Sequence, residues 1–203
     1  YDHAVDVSIH LMMLGRFLSL PERDIQQIGL AGMLQDIGKI KIPQEILNKP
    51  SALSEDEYTL VQSHVASSLE MLQEQIEFTT EMLEIVACHH ERHDGSGYPR
   101  RLAEEKISLG AELAGMMDVY CAMTRNRVYN PAVSHQRALE ALLSMRGKQF
   151  RAPLVDQFIQ CMGLYPVGTL VELNTGEVGV VIQQNKVRRL QPRVLVVLAA
   201  DKS

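Results

Sequence analysis

Cysteine is scarce in this sequence: the 203 residues include Cys88, Cys121 and Cys161, and no two of them form a CxxC pair. An odd number of widely spaced cysteines argues against a disulfide framework and is typical of a protein kept in a reducing compartment. Long apolar runs are also missing, since none approaches the ~18 residues of a membrane span, and no signal peptide is visible. We therefore expect a cytoplasmic protein with no membrane segment in this stretch of chain.

Basic residues are also fewer than acidic ones. Lysine and arginine number 20 against 25 aspartates and glutamates, which leaves a formal net charge of -5. Nucleic-acid partners need a basic surface for their phosphates, so the deficit argues against them. A small anionic ligand is still compatible with the sequence, because a bound metal ion and a local cluster of Lys and Arg can outweigh the net charge.

The length allows one sizeable core, or one domain with a small appendage. The chain begins at Tyr1 without Met, in what reads as the interior of a helix. We therefore expect a fragment of a longer protein.

Apolar residues recur at helical spacing through most of the first 163 residues. The S-x-x-E pattern of Ser54–Glu57 is a capping box and predicts a helix start. Gly38, Gly147 and Gly163 are predicted helix stops. The predicted helices span about residues 3–19, 21–35, 54–72, 80–93, 109–124, 134–145 and 153–162.

The hydrophobic period changes after Gly163, where short β-branched runs replace the helical pattern. Asn174–Glu177 separates the first two runs and predicts a hairpin turn. The runs occupy residues 169–173, 178–182 and 194–198. The sequence therefore predicts an all-α domain at 1–163 and a small antiparallel β element at 164–203.

The densest group of chemically active residues runs from His89 to Pro99 and reads HHERHDGSGYP. Neutral imidazole is the commonest metal ligand among side chains, so three histidines beside carboxylates indicate a metal site. The two glycines allow the following backbone to come close to a bound ligand. The adjacent pair His89 and His90, or the i, i+4 pair His89 and His93, could supply the ligands.

Ionisable residues also interrupt the apolar faces of other predicted helices. A buried ionisable group is costly unless it is paired or bound to a metal. Helices of an all-α body can aim such groups at one shared site. The interrupting residues, together with the histidine pair, are His3, Asp36, Lys39, His64, His89, His90 and Asp118.

Taken in order, these residues resemble the HD-GYP domain, a bacterial branch of the HD metal-dependent phosphohydrolase superfamily. The resemblance rests on the early histidine, the Asp-Ile-Gly-Lys segment at 36–39, the mid-chain histidine, the HHE…DGSGYP stretch and the Asp-Val-Tyr segment at 118–120. It covers about residues 1–160. It implies an HD-type helical bundle that hydrolyses the second messenger cyclic di-GMP to linear pGpG or to GMP.

The resemblance also implies a centre of two or more divalent transition metal ions, iron or manganese. Its first ion would be held by Asp36, His64, His89 and His90. Its second ion would be held by His3, Asp36, Asp118 and the residue at position 35. Such a centre suits the reaction, because phosphodiester hydrolysis needs an activated hydroxide and Lewis-acid contact with the phosphoryl oxygens.

Substrate contacts are implied in the same way. Lys39 and Arg127 match phosphate-contacting positions of the family, and Asp36 with Lys39 would be the catalytic pair. The signature loop beside the substrate would consist of Gly97, Tyr98 and Pro99. We further expect the carboxylates of Glu91 and Asp94 to orient the metal-binding imidazoles.

The sequence departs from the family at position 35, where Gln35 precedes Asp36 in place of the histidine of the HD dyad. An amide oxygen is a poorer transition-metal ligand than imidazole. Two hypotheses follow. In one, the chain is an active cyclic di-GMP phosphodiesterase with a rearranged metal centre. In the other, it keeps only one ion and binds the dinucleotide or a signalling protein, the latter through the signature loop. Exposed apolar residues of the first helix would suit a homodimer.

Overall fold

A computed structural model gives the fold of the chain and describes residues 2–125, 132–163, 165, 167–183, 185 and 191–200. It confirms the predicted fold class, a helical body followed by a small antiparallel sheet. The helices are α1 (Asp2–Phe17), α2 (Glu22–Leu34), α3 (Gln44–Leu47), α4 (Glu55–Gln62), α5 (His64–Leu72), α6 (Thr80–Cys88), α7 (Leu109–Thr124), α8 (His135–Met145) and α9 (Ala152–Met162).

Helix α7 forms the centre of the helical body, because it packs against α1, α2, α6 and α8. Its sequence is almost entirely apolar or small from Ala111 to Cys121, so it can be buried on nearly every side. Glu112 is a buried exception, and its carboxylate is paired with the guanidinium of Arg151 just before α9. That guanidinium also donates to the main-chain oxygen of Ile107 at 2.8 Å. The pairing satisfies a charge that burial would otherwise make costly.

Three helix ends differ from the sequence prediction, and two of the differences shape the site. The long helix predicted from residue 54 divides at Ser63 into α4 and α5, so that His64 is the first residue of α5. The helix predicted to reach His93 ends at Cys88, which leaves His89 and His90 in the turn that follows. Each break moves a histidine from the side of a predicted helix to its end.

The third difference concerns Gly38, which lies in a 3-10 turn (Ile37–Lys41) rather than at the end of α2. A Cβ atom at this position would overlap the main-chain oxygen of His64 and come within 2.5 Å of the main-chain nitrogen of Ser68. The Ser68 hydroxyl accepts from the Gly38 N–H at 2.9 Å and donates to the carbonyl of Gln35 at 2.8 Å. The glycine is therefore required for the close approach of this turn to α5.

The sheet has the order β1 (Leu170–Glu172), β2 (Val178–Gln183) and β3 (Arg193–Leu198), with antiparallel neighbours. Leu170 pairs with Val180 and Glu172 with Val178, and the predicted hairpin turn lies between them. The described residues of the apolar clusters of the body all precede Gly163. A division into domains 1–163 and 164–203 remains a prediction. In the part of the chain that the structure describes, every helix falls short of the length and hydropathy of a membrane span.

Candidate metal centre

Asp36 lies at the middle of the candidate site, two residues beyond the end of α2. Its backbone (φ -101°, ψ 7°) is in the bridge region, where many active-site residues are found. Its Oδ1 lies 3.1 Å from Nε2 of His64 and 3.6 Å from Nε2 of His89. Its Oδ2 accepts a hydrogen bond from Nζ of Lys39 at 2.6 Å. One carboxylate therefore joins side chains from three separate segments of the chain.

The two imidazoles beside Asp36 are oriented by main-chain carbonyls one turn earlier in each helix. His64 Nδ1 lies 2.6 Å from the oxygen of Val61, and His89 Nδ1 lies 2.8 Å from the oxygen of Val86. Because a carbonyl oxygen only accepts, each Nδ1 carries a proton, and each Nε2 is the ring nitrogen that faces the carboxylate of Asp36. Both rings are completely buried, so these nitrogens are shielded from bulk water.

The expectation that Glu91 and Asp94 orient the imidazoles is wrong. Both oxygens of Glu91 accept main-chain N–H groups from the loop that follows, those of Arg100 at 2.7 Å and Leu102 at 2.9 Å. The carboxylate of Asp94 accepts from the main chain and the hydroxyl of Ser96. Both acids contact the loop instead, while main-chain carbonyls are already in reach of Nδ1 of His64 and of His89.

His90 and Asp118 extend the site towards α1. His3 Nε2 is 2.8 Å from Oδ1 of Asp118, and His90 Nδ1 is 4.0 Å from Oδ2 of the same carboxylate. The Nε2 atoms of His90 and His64 are only 3.2 Å apart. Two imidazole nitrogens at that distance need a proton or a cation between them, because two lone pairs facing each other repel.

The donor atoms fall into two groups, and within each group every atom lies within 4.8 Å of the others. One group is Asp36, His64, His89 and His90, and the other is His3, Asp36 and Asp118. Asp36 belongs to both. These are the side chains that the sequence indicated, now brought together from five segments of the helical body.

Several buried polar atoms of this region have no hydrogen-bond partner in the described part of the chain. They include Nε2 of His89 and both amide atoms of Gln35, a residue that is 1% exposed. Leaving buried polar atoms unpaired costs about 1–3 kcal/mol for each group. Imidazole nitrogen and carboxylate or amide oxygen atoms in this arrangement suit a divalent transition metal, which would accept their lone pairs. The residues present therefore fit a metal ion.

The charges of the site also suit a cation. Burial works to raise the pKa of Asp36, yet the two imidazoles beside it and the ammonium of Lys39 hold that pKa well below its ordinary value. Burial opposes ionisation of Asp118 too, but the contact with His3 brings its pKa down to about 2. Burial and a neighbouring imidazole lower the pKa of His90 to about 2. At neutral pH the site offers ionised carboxylates and a neutral His90, as metal binding requires.

The signature loop closes over the histidines. A Cβ atom on Gly97 would come within 2.5 Å of main-chain atoms of Glu91 and Arg92, so only glycine allows this approach. Tyr98 then stacks on His90, with ring centroids 4.5 Å apart and planes 23° apart. Pro99 follows on the exposed side of the loop.

Tyr58 of α4 also reaches this loop, with its ring centroid 6.2 Å from that of Tyr98. Sequence reasoning missed Tyr58, because a tyrosine on a polar helix carries no signal that distinguishes it from ordinary surface residues.

The predicted phosphate contact Arg127 falls outside the described residues. The i, i+4 alternative requires His89 and His93 on one helix, but α6 ends at Cys88. The main-chain N–H of His93 donates instead to the carbonyl of Gln149 at 2.9 Å. Among the described residues, neither donor group includes His93.

Comparison with known proteins adds independent information. A family model described as HD domain matches residues 3–152. A cyclic di-GMP phosphodiesterase of Pseudomonas aeruginosa is 38% identical over 200 residues, which are 98% of this chain and 48% of that protein. A 3'3'-cGAMP-specific phosphodiesterase of Vibrio cholerae is 31% identical over 78% of this chain and 30% of its own length. This chain thus spans about half, or less, of the length of these relatives.

A solved structure shows the same fold. An HDGYP protein from Bdellovibrio bacteriovorus matches with a TM-score of 0.64 at 19% sequence identity. The match covers 77% of this chain and 50% of that one.

Proposed function

The chain belongs to the HD domain family, in its HD-GYP branch, and we propose that it is a metal-dependent phosphodiesterase acting on cyclic di-GMP. The product would be linear pGpG or GMP. The observation that carries the proposal is the pair of donor groups that share Asp36. The relatives are named for cyclic di-GMP and for 3'3'-cGAMP, so a cyclic dinucleotide is the substrate class that they support.

The ions that we propose are divalent transition metals, iron or manganese. The first would be held by Asp36, His64, His89 and His90, and the second by His3, Asp36 and Asp118. Bound there, they would supply Lewis-acid contact with the phosphoryl oxygens and an activated water. The two donor groups differ in softness, because three imidazoles serve the first and one serves the second.

Lys39 is the cationic residue that we assign to the phosphate. Its ammonium holds the Oδ2 atom of Asp36 at 2.6 Å, and its side chain is 35% exposed. It therefore stands between the buried donors and solvent, where it can stabilise negative charge that develops on a phosphoryl oxygen. Tyr98 stacks on His90 of the first donor group, and we propose that Gly97, Tyr98 and Pro99 contact the substrate. A phosphate contact by Arg127 stays a prediction from the family.

The proposal is tested with purified protein loaded with Mn²⁺ or Fe²⁺ and given cyclic di-GMP, with products separated by chromatography. We expect a linear product from the wild-type protein. Asp36→Asn should reduce the rate more than about a hundredfold. Losing a hydrogen-bond partner of a metal ligand costs about 10- to 100-fold, and losing the ligand itself should cost more. The matched control is Asp24→Asn at an exposed position of α2, which should keep the wild-type rate. Absence of hydrolysis with either metal would overturn the assignment as a phosphodiesterase.

A second candidate function is favoured by Gln35. Its amide stands where the family has an imidazole, so the second group has one strong ligand fewer. The alternative is a degenerate domain that keeps one ion and binds cyclic di-GMP or a signalling protein without turnover. One bound ion per chain, measurable dinucleotide binding and no product would identify it.

Location and partners belong to the same proposal. We propose a cytoplasmic location for the protein and propose the signature loop as the surface for a protein partner. Val5, Ile9 and Met13 are exposed at successive turns of α1. We propose this stripe as a homodimer contact, which sedimentation analysis would test.

A further inference from the structure

Tyr58 occupies an unusual place for an exposed aromatic residue. It lies on α4, a helix with no fully buried residue among those described, and it is 50% exposed. Its ring nevertheless meets the ring of Tyr98 at 6.2 Å with an interplanar angle of 76°. The ring is therefore in contact with Tyr98 while half of the residue's surface stays open to solvent.

The rings form a series that leads from the surface to the metal donors. Tyr58 contacts Tyr98, Tyr98 stacks on His90 at 4.5 Å, and His90 lies 5.1 Å from His64. The ring of Tyr58 is two steps, of 6.2 and 4.5 Å, from the imidazole of His90, so it lies no more than about 11 Å from that donor side chain and within reach of one nucleotide. A ligand whose phosphate lay at the donor groups would place an attached base near Tyr58.

We infer that Tyr58 is a substrate-binding residue that stacks on a purine base of the cyclic dinucleotide. The inference rests on the proposed substrate class, and it adds a site for the base to the site for the phosphate. Exposed aromatic faces bind nucleobases by stacking, which contributes about 1–3 kcal/mol per base. Loss of the ring should therefore weaken binding about 5- to 150-fold.

Binding is measured with a cyclic dinucleotide that carries fluorescent 2-aminopurine, whose emission is quenched when the base stacks. This measurement does not require turnover. Tyr58→Leu should raise Kd about 5- to 150-fold and abolish the quenching. Tyr58→Phe keeps the ring and should retain both. Where hydrolysis is measured, Tyr58→Leu should raise KM far more than it lowers kcat.

Metal content and melting temperature separate a binding role from a structural one, and Tyr58→Leu should leave both unchanged. Wild-type Kd and quenching in Tyr58→Leu would overturn the inference while leaving the proposed function intact. Weaker binding that accompanies a loss of bound metal or a lower melting temperature would also overturn it, because Tyr58 would then support the fold. Failure of the wild-type protein to bind any cyclic dinucleotide would overturn the proposed function and this inference together.

Discussion

At the scale of single residues, Gln35 is the position at which the sequence departs from the HD-GYP pattern. It is almost completely buried, and neither amide atom has a hydrogen-bond partner among the described residues. Its neighbour Asp36 belongs to both donor groups. An amide oxygen is a harder and weaker ligand than imidazole, so an ion at the second group would be bound less firmly than one at the first. We therefore propose that Gln35 limits the number of ions that the protein holds.

Replacing Gln35 with histidine is expected to strengthen the second group. Gln35→His supplies an imidazole nitrogen and should raise the affinity for the second ion. We expect an increase of about 10- to 100-fold, the change in metal affinity that mutations of residues contacting metal ligands cause. Isothermal titration of metal-free protein with Mn²⁺ and elemental analysis of the loaded protein would measure this.

The control is Gln75→His, which places the same side chain at an exposed position. Equal ion content and affinity in wild type, Gln35→His and the control would show that position 35 is not part of the metal site.

At the scale of an element, α4 is held at its start by local contacts rather than by burial. The Ser54 hydroxyl accepts from the N–H of Glu57, and the Glu57 carboxylate accepts from the N–H of Ser54. Lys49 adds an ion pair to the same carboxylate at 2.5 Å. A helix with no buried residue gains little from packing, so these contacts matter more here than in the core.

Removing the cap should lower stability without touching the metal site. Ser54→Ala leaves the N–H of Glu57 without its partner, and we expect a loss of about 1 kcal/mol in the free energy of unfolding. Urea unfolding monitored by circular dichroism measures the change. Ser51→Ala makes the same substitution at an exposed position three residues earlier and should cost much less. Equal losses in the two variants would contradict the role of the capping box.

At the scale of the whole molecule, the donor groups connect distant parts of the helical body. Their side chains come from α1, the segment after α2, α5, the turn after α6, and α7. An ion bound by all of them would cross-link these segments only in the folded state, and a ligand that binds only the folded state stabilises it.

Removal of the metal should therefore lower the melting temperature. At an ion concentration a thousandfold above Kd, binding stabilises by about 4 kcal/mol, which corresponds to about 8–16 °C for a chain of this size. Differential scanning calorimetry with and without a chelator gives the difference. Asp36→Asn should show almost none of this difference, since it removes the ligand that both groups share. A wild-type melting temperature that the chelator does not change would refute a metal centre built from these residues.

Features that depend on a few consecutive residues could be predicted from the sequence. Local pattern is enough to predict the bounds of α7, the capping box at Ser54, the hairpin at Asn174–Glu177 and the chemical character of the His89–Pro99 stretch. Hydrophobic period, cap residues and turn residues act through contacts within one turn of chain, so the sequence contains the information directly.

Tertiary structure brings the donor side chains of the site together. The early end of α6 turns His89 and His90 inward, and Gly38 allows its turn to approach α5 closely. The carbonyls of Val61 and Val86 select the nitrogen that each imidazole presents, although no side-chain pattern marks them. The sequence by itself therefore determined which side chains are available and on which elements they lie. Only the packing of helices distant in sequence decided which of their atoms meet, because such contacts depend on the relative placement of whole elements.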